Sequence, residues 1–330
     1  MASLVSVIIP CFNSENTIDR SICSVYEQNW PSIELIVIND GSTDKSEEHI
    51  KYWEKQFVKK EGYILKYIAQ KNLGPGGAVK TGLNYITGRY LTLLDADDRF
   101  MQGSVSERAI YLDTHPECAM VRSNGYIISG ENKWLFTESD VEKTGNVFEM
   151  VMCGKTYNWA GSYMVRTELL LNFYQEHAFY ESRFGQNLQI MIPMANQGKC
   201  GFIDKPLMEY FWGENSLTRE TDHRKAKEKK TRNAEGFLDI RRHVISSLPI
   251  PIENKNKWKH IAEVIYSRSL MRIGLEYEDI VMANKAVYML KKLRAYSIDD
   301  RIVYYKNRNN TIGMFWRGVR RMLNTIYLRK

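Results

Sequence analysis

The first hundred residues switch repeatedly between two hydrophobic periods. Leu4 to Pro10 (LVSVIIP) is a near-continuous apolar, β-branched run, the pattern of a strand covered on both faces, and Pro10 ends it. Ile18, Ile22, Val25 and Tyr26 then recur at helical spacing, with Asn16 or Thr17 placed to cap the helix. Ile33 to Ile38 is a second buried strand running into the polar turn Asn39-Asp40-Gly41-Ser42-Thr43-Asp44. Tyr63 to Ala69 predicts a third strand, and Tyr90 to Leu94 a fourth. Strands alternating with helices imply right-handed parallel crossovers and therefore an α/β sheet with helices on its faces. Further strands are expected at Val121 to Ile128, around Trp159 to Arg166 and at Gly201 to Tyr210. From residue 223 the pattern changes: helical periodicity runs through Phe237 to Leu248, Trp258 to Leu275 and Ile280 to Tyr296, with a break at Pro249-Ile250-Pro251. A small helical bundle is predicted there.

Two polar stretches carry candidate chemistry. The fourth strand ends in Asp95, Asp97 and Asp98, at the carboxyl end where open α/β sheets bind ligands. Asp95 and Asp97, two apart, can point the same way and hold a hard divalent cation while leaving positions for phosphate oxygens; an acidic turn after a strand is the plainer alternative. The run Asn72-Leu73-Gly74-Pro75-Gly76-Gly77-Ala78-Val79-Lys80 is a glycine-rich loop opening a helix. Its backbone amides can approach phosphate and Lys80 adds charge, but it is neither a Walker A loop nor GxGxxG.

Taken together, VSVIIPCFN, ELIVINDGSTD, NLGPGGAVKTGL and GRYLTLLDADD, in that order over about a hundred residues, resemble the nucleotide-binding half of a family 2 glycosyltransferase of the GT-A fold. The resemblance implies a Rossmann-like, mostly parallel central sheet with flanking helices, divided into a nucleotide-sugar-binding half (1–100), an acceptor-binding half (101–220) and a basic helical C-terminal region (221–330). It implies that Pro10 and Phe12 line a uracil base, that Asp40 hydrogen-bonds its edge, and that Lys80 lies near the diphosphate. Asp95 and Asp97 would be the family's DxD motif, Asp97 holding Mg2+ or Mn2+ and Asp95 contacting ribose or metal-bound water; Asp98 is expected to cap or support. Trp159 is a candidate sugar platform or a core tryptophan.

The chain departs from the family where inverting members place their base, often in a Glu-Asp pair at a helix start. Here Gln186 and Asn187 stand in that place, and neither can take a proton. Glu181 is the candidate base, the amides then binding sugar or acceptor, and Arg219 in the closing loop is a candidate diphosphate contact. The implied activity is inverting transfer from a UDP-sugar to a glycan or polyprenyl-diphosphate-linked acceptor in surface polysaccharide synthesis. The alternative is a nucleotide-sugar-binding, non-catalytic subunit of a heteromeric transferase.

Composition adjusts this picture at the C-terminal end. The net charge of +7 over 330 residues divides into −7 for residues 1–215 and +14 for 216–330. Thr311 to Lys330 holds five basic residues and no acid, with Met314, Phe315, Trp316, Val319, Met322, Leu323, Ile326 and Tyr327 roughly on one face. That suits a helix lying in an anionic membrane surface, or one packed in a bundle or homo-oligomer. Nucleic acid is not expected, since no recognition motif accompanies the charge. No run of 18 to 20 apolar residues occurs, and the N-terminus reads as a strand rather than a signal peptide, so the expected location is cytoplasmic, peripheral on the inner face of the cell membrane. The five cysteines include no CxxC pair and are expected to be reduced.

Overall fold

The computed structural model describes residues 3–212 and 222–306. Two compact units make up the chain: Met1–Ser216 with His243–Pro249, and Leu217–Arg242 with Ile250–Lys330.

The first unit is built on a nine-stranded sheet in the order β3-β2-β1-β4-β8-β6-β9-β5, with β7 paired to β6. Strands β1 (Val5–Cys11), β2 (Ile33–Asn39), β3 (Tyr63–Ala69) and β4 (Tyr90–Leu93) are parallel, with Val5 opposite both Ile33 and Tyr90. Every residue of β2 is buried, which is why β1 and β2 read as mostly apolar runs rather than alternating ones, with Ser6 and Glu34 the interior exceptions. The crossovers are α1 (Ile18–Tyr26), α2 (Ser46–Phe57) and α3 (Pro75–Leu83). Thr17 does precede α1, but its hydroxyl donates back to the Ser14 carbonyl rather than capping the helix.

The second half of the sheet is mixed. Strand β8 (Tyr163–Arg166) runs antiparallel to both β4 and β6 (Cys118–Ser129), β9 (Lys199–Phe211) runs parallel to β6, and the short β5 (Arg99–Phe100) and β7 (Asn132–Leu135) pair antiparallel with β9 and β6. The sheet is thus all-parallel from β3 to β4 and mixed from β8 onward. Helix α4 (Ser104–Thr114) covers β6, α5 (Asp140–Thr144) and α6 (Val147–Met152) are short, and α7 (Thr167–Glu176) leads to α8 (Gln186–Gln197). One core cluster runs from Val5, Val7 and Ile9 through Ile22, Leu35 and Phe57 to Val105, Met164 and Met208.

In the second unit, α10 (Ile252–Glu276) packs on α11 (Ile280–Lys292) and α12 (Ile298–Lys306) around Met271, Ala283, Ala286 and Leu290. Helix α9 (His223–Ser247) absorbs the charged run at 223–232 as its first turns. Asp279 caps α11, accepting from Met282 N at 2.9 Å, and Arg268 holds the buried Asp300 through two guanidinium nitrogens. No helix among the described residues is long and apolar enough to cross a membrane. All five cysteines are free thiols, as expected. Arg219 and the segment 311–330 lie outside the described residues.

Candidate active site

The site forms where β1, β2 and β4 end. The chain turns sharply after β4 because Asp98 N donates to Asp95 O (3.1 Å). Ser21 of α1 fixes that turn from behind, its hydroxyl reaching the carbonyls of Asp98 (2.8 Å) and Asp95 (3.2 Å). Arg20, one residue earlier, donates to the Asp97 carbonyl and lies flat over the Phe211 ring, 3.6 Å from its centroid. Asp98 is fully buried and ties the turn to β9, accepting from Phe211 N at 3.0 Å.

The three carboxyls burden one another. Burial, and then the Asp97 charge, push Asp95 up to about 7; burial raises Asp97 as well, with the Arg20 charge opposing it. Asp98 is raised well above the carboxylate range by burial and by both neighbours. Its Oδ2 is buried with no hydrogen-bond partner. An orphaned carboxylate oxygen among mutually repelling acids is a donor set that a divalent cation would satisfy. No group of three or more His, Cys, Asp or Glu is disposed to hold a metal among the described residues. Asp95 and Asp97 offer one or two carboxylates, the number through which an ion of the Mg2+ or Mn2+ kind is held when water and substrate phosphates complete its shell.

The loops after β1 and β2 are laced into a single rim. Asn13, in the left-handed region at φ 49°, accepts from Thr43 N (2.9 Å); Ser14 N donates to Ser46 Oγ (2.8 Å); Asp44 accepts from Glu15 N (2.9 Å) and Ser46 N (3.0 Å). Pro10 and Phe12 stand at this rim, both part-buried. Asn39 does turn chemistry, accepting from Ser42 N at 2.9 Å. Asp40 is buried and organises the glycine-rich loop: Oδ1 accepts from Gln70 Nε2 (2.6 Å) and Leu73 N (2.9 Å), and Oδ2 from Gly74 N (2.8 Å). Three donors leave the carboxylate room for about one more.

Lys80 and Glu181 meet each other. Lys80 Nζ donates to Glu181 Oε1 at 2.7 Å, and around that pair the segment 181–183 lies across the start of α3: Gly76 N donates to Ser182 O (2.9 Å), and Gly74 is in contact with Arg183. Sequence reasoning placed Lys80 at the diphosphate and Glu181 at the acceptor without linking them. The pairing spans 101 positions and has no local signal.

The amides at the start of α8 part ways. Gln186 is part-buried, whereas Asn187 is buried and accepts from the Tyr163 hydroxyl at 2.8 Å. Tyr163 is fully buried and feels the Asp95 charge, so Asn187 braces β8 beneath the acidic turn. Gln189, not singled out from sequence, holds the other end of the crossing segment, pairing with both the N–H (2.8 Å) and the carbonyl (2.9 Å) of Tyr180. Trp159 is stacked by Tyr210 (centroids 4.9 Å, 7°) and Tyr157 (5.5 Å, 19°) and met by Phe136 at 4.5 Å. Trp159 is half-buried within this aromatic stack. Also missed was Arg108, fully buried on α4, which holds the turn after Trp159 through Gly161 O and binds Ser123 and Ser104. Burial pushes that guanidinium down to about 9.

Comparison with known proteins identifies the fold and the family. The fold is shared with Staphylococcus aureus TarS 1–349 solved in complex with UDP-GlcNAc (TM-score 0.57, 15% identity, covering 95% of this chain and 91% of that one). It is shared too with the mannosyltransferase PcManGT of Pyrobaculum calidifontis, solved with GDP-Man and Mn2+ (TM-score 0.54, 14% identity, 90% and 83% covered). In sequence, the chain is 32% identical over 204 residues to an uncharacterized glycosyltransferase of Rickettsia bellii, a match covering 62% of this chain and 28% of that protein. It is 26% identical over 195 residues to the GalNAc(5)-diNAcBac-PP-undecaprenol beta-1,3-glucosyltransferase of Campylobacter jejuni, covering 53% and 61%. The chain thus spans under a third of the rickettsial relatives it matches. The model of glycosyl transferase family 2 matches residues 6–176, from the first strand through the acidic turn to α7, and the chain belongs to that family.

Proposed function

We propose that this chain transfers a sugar from a UDP-sugar, with inversion, to a glycan or polyprenyl-diphosphate-linked acceptor in surface polysaccharide synthesis. The observation that carries the reading is the unmet Asp98 oxygen within three mutually destabilised carboxyls at the end of β4, in a family 2 chain. Pro10 and Phe12 bound the base site, and Asp40 offers its remaining lone pair to the uracil edge while holding the glycine-rich loop. Lys80 stands between Glu181 and the diphosphate. Asp97 and Asp95 would hold Mg2+ or Mn2+, which would supply a Lewis acid for charge developing on the departing UDP.

Glu181 takes the proton from the acceptor hydroxyl as its oxygen bonds to the anomeric carbon and the bond to UDP breaks. Lys80 fixes that carboxylate in place. Gln186 is left to bind sugar or acceptor, and Arg219 and the basic segment 311–330 remain candidates for the diphosphate and an anionic membrane face. Asn187 favours a second reading: an amide turned inward to Tyr163 does no proton transfer, as in a non-catalytic subunit that binds nucleotide-sugar beside a partner transferase. Turnover by the purified chain excludes that reading.

The test is thermal stabilisation by UDP and a panel of UDP-sugars, with Mn2+, Mg2+ or EDTA, for the native chain and Asp97→Ala. The expected result is a cation-dependent rise with UDP, about 2.7 kcal/mol at a hundredfold excess over Kd, abolished by the substitution. No response to any nucleotide sinks the proposal.

A further inference from the structure

Helices α1 and α2 bound an open cleft of about 640 Å³, within the size range of small-ligand sites. Its lining combines two aromatic rings, Tyr52 and Trp53, with Asp19, Glu48, Arg20 and His49. The polar floor is preset. Asp19 is gripped by His49 Nδ1, which donates to Oδ2 at 2.6 Å, and by the Trp53 indole N–H, which donates to Oδ1 at 2.8 Å. Tyr52 stands edge-on to Trp53 at 5.7 Å and is 57% exposed. Arg20 is common to the cleft and the catalytic turn, since it also donates to the Asp97 carbonyl.

We propose that this cleft is a saccharide subsite, taking one neutral pyranose residue of the acceptor glycan. Aromatic surface beside fixed carboxylates and cationic donors suits a ring with apolar C–H faces and hydroxyls that both donate and accept. Two acids against one arginine leave the wall with an excess of one negative charge before the histidine is counted, which disfavours a phosphate. The acidic turn lies one arginine side chain away, so a glycan held here is close to the proposed donor site. The assignment of the saccharide as acceptor rests on the proposed transferase reading; binding in the cleft does not.

The experiment titrates the full-length chain, without nucleotide, with disaccharides built from glucose, galactose and their N-acetyl forms, following the Trp53 indole N–H resonance and tryptophan fluorescence. At least one disaccharide is expected to move the Trp53 signal with millimolar affinity, and Tyr52→Ala and Glu48→Gln to weaken it about tenfold. Both variants should retain the UDP-dependent thermal shift. Where turnover is measurable, KM for the acceptor rises with kcat unchanged. No change at Trp53 up to about 50 mM of every probe, or a response that survives both substitutions, overturns the subsite. A UDP response without a saccharide response overturns the subsite alone; a saccharide response without UDP binding supports it and overturns the donor reading.

Discussion

Glu34 shows how much one side chain holds together. It is the second residue of β2, 2% exposed, and its Oε1 accepts from Ser6 Oγ, Thr87 N and Gly88 N while Oε2 accepts from Lys66 Nζ (2.8 Å) and Thr87 Oγ1 (3.0 Å). A carboxylate inside a parallel sheet breaks the apolar rule for a doubly covered strand, and five donors compensate it. Burial pushes its pKa up, but the bonds from Lys66, Ser6 and Thr87 outweigh that and leave it below the usual value. The unfolded chain then binds this proton more tightly. The stability it contributes is complete above about pH 4.5 and disappears as pH falls through the lower folded value. Glu34→Gln should cost about 2–4 kcal/mol at neutral pH and flatten the acid limb of a melting-temperature profile, checked by calorimetry from pH 3 to 7. An unchanged acid limb in the variant would refute this account. At this scale the sequence was readable where placement depends on a local run, as for the turn that holds Asp95 and Asp97 at the end of β4. It was silent where a side chain's partner lies far along the chain, as for Lys80 with Glu181 or Asn187 with Tyr163.

Among the elements, the start of α3 is the most constrained. Gly74 has φ 82° and ψ 169°, a backbone region essentially restricted to glycine, and a Cβ there would stand 2.8 Å from Arg183 Cγ and 2.9 Å from its Cα. At Gly76 a Cβ would meet Ser182 O at 2.4 Å. The glycines read as a phosphate loop also serve a second purpose, which is to let the segment carrying Glu181 lie directly on the helix start. Gly76→Ala should therefore displace the crossing segment, lowering the melting temperature by about 4–8 °C for a loss near 2 kcal/mol and reducing turnover more than UDP affinity. Equal loss of both would mean that the glycine serves the nucleotide alone. The strands of the parallel half were legible to within a residue, β1 and β2 because two-sided burial leaves nearly continuous apolar runs. In the mixed half the longer strands were legible, the short β5 and β7 were not, and neither was the pairing order, since direction and register depend on distant partners such as Met120 with Val165 and Cys200.

For the molecule as a whole, the chain returns to its first unit. His243 Nε2 donates to Ala178 O at 3.0 Å and its ring stacks on Tyr180 at 4.9 Å, next to Glu181; Val244, Ile245 and Leu248 are buried. A truncation that ends before residue 243 removes this brace while keeping every family motif. It should melt lower, by about 4 °C or more, and lose turnover while still responding to UDP. A truncated chain with native turnover would show the brace to be dispensable. Helical periodicity announced α9, but nothing in it distinguished a helix of the C-terminal region from one whose last turns complete the sheet unit.

The inward-facing amide of Asn187 also limits what this position can become. An acid placed there would stand against the Tyr163 hydroxyl in a dry layer that already feels the Asp95 charge. Such a variant meets a repulsion before it gains a base, so an acid at 187 needs a second change that relieves it.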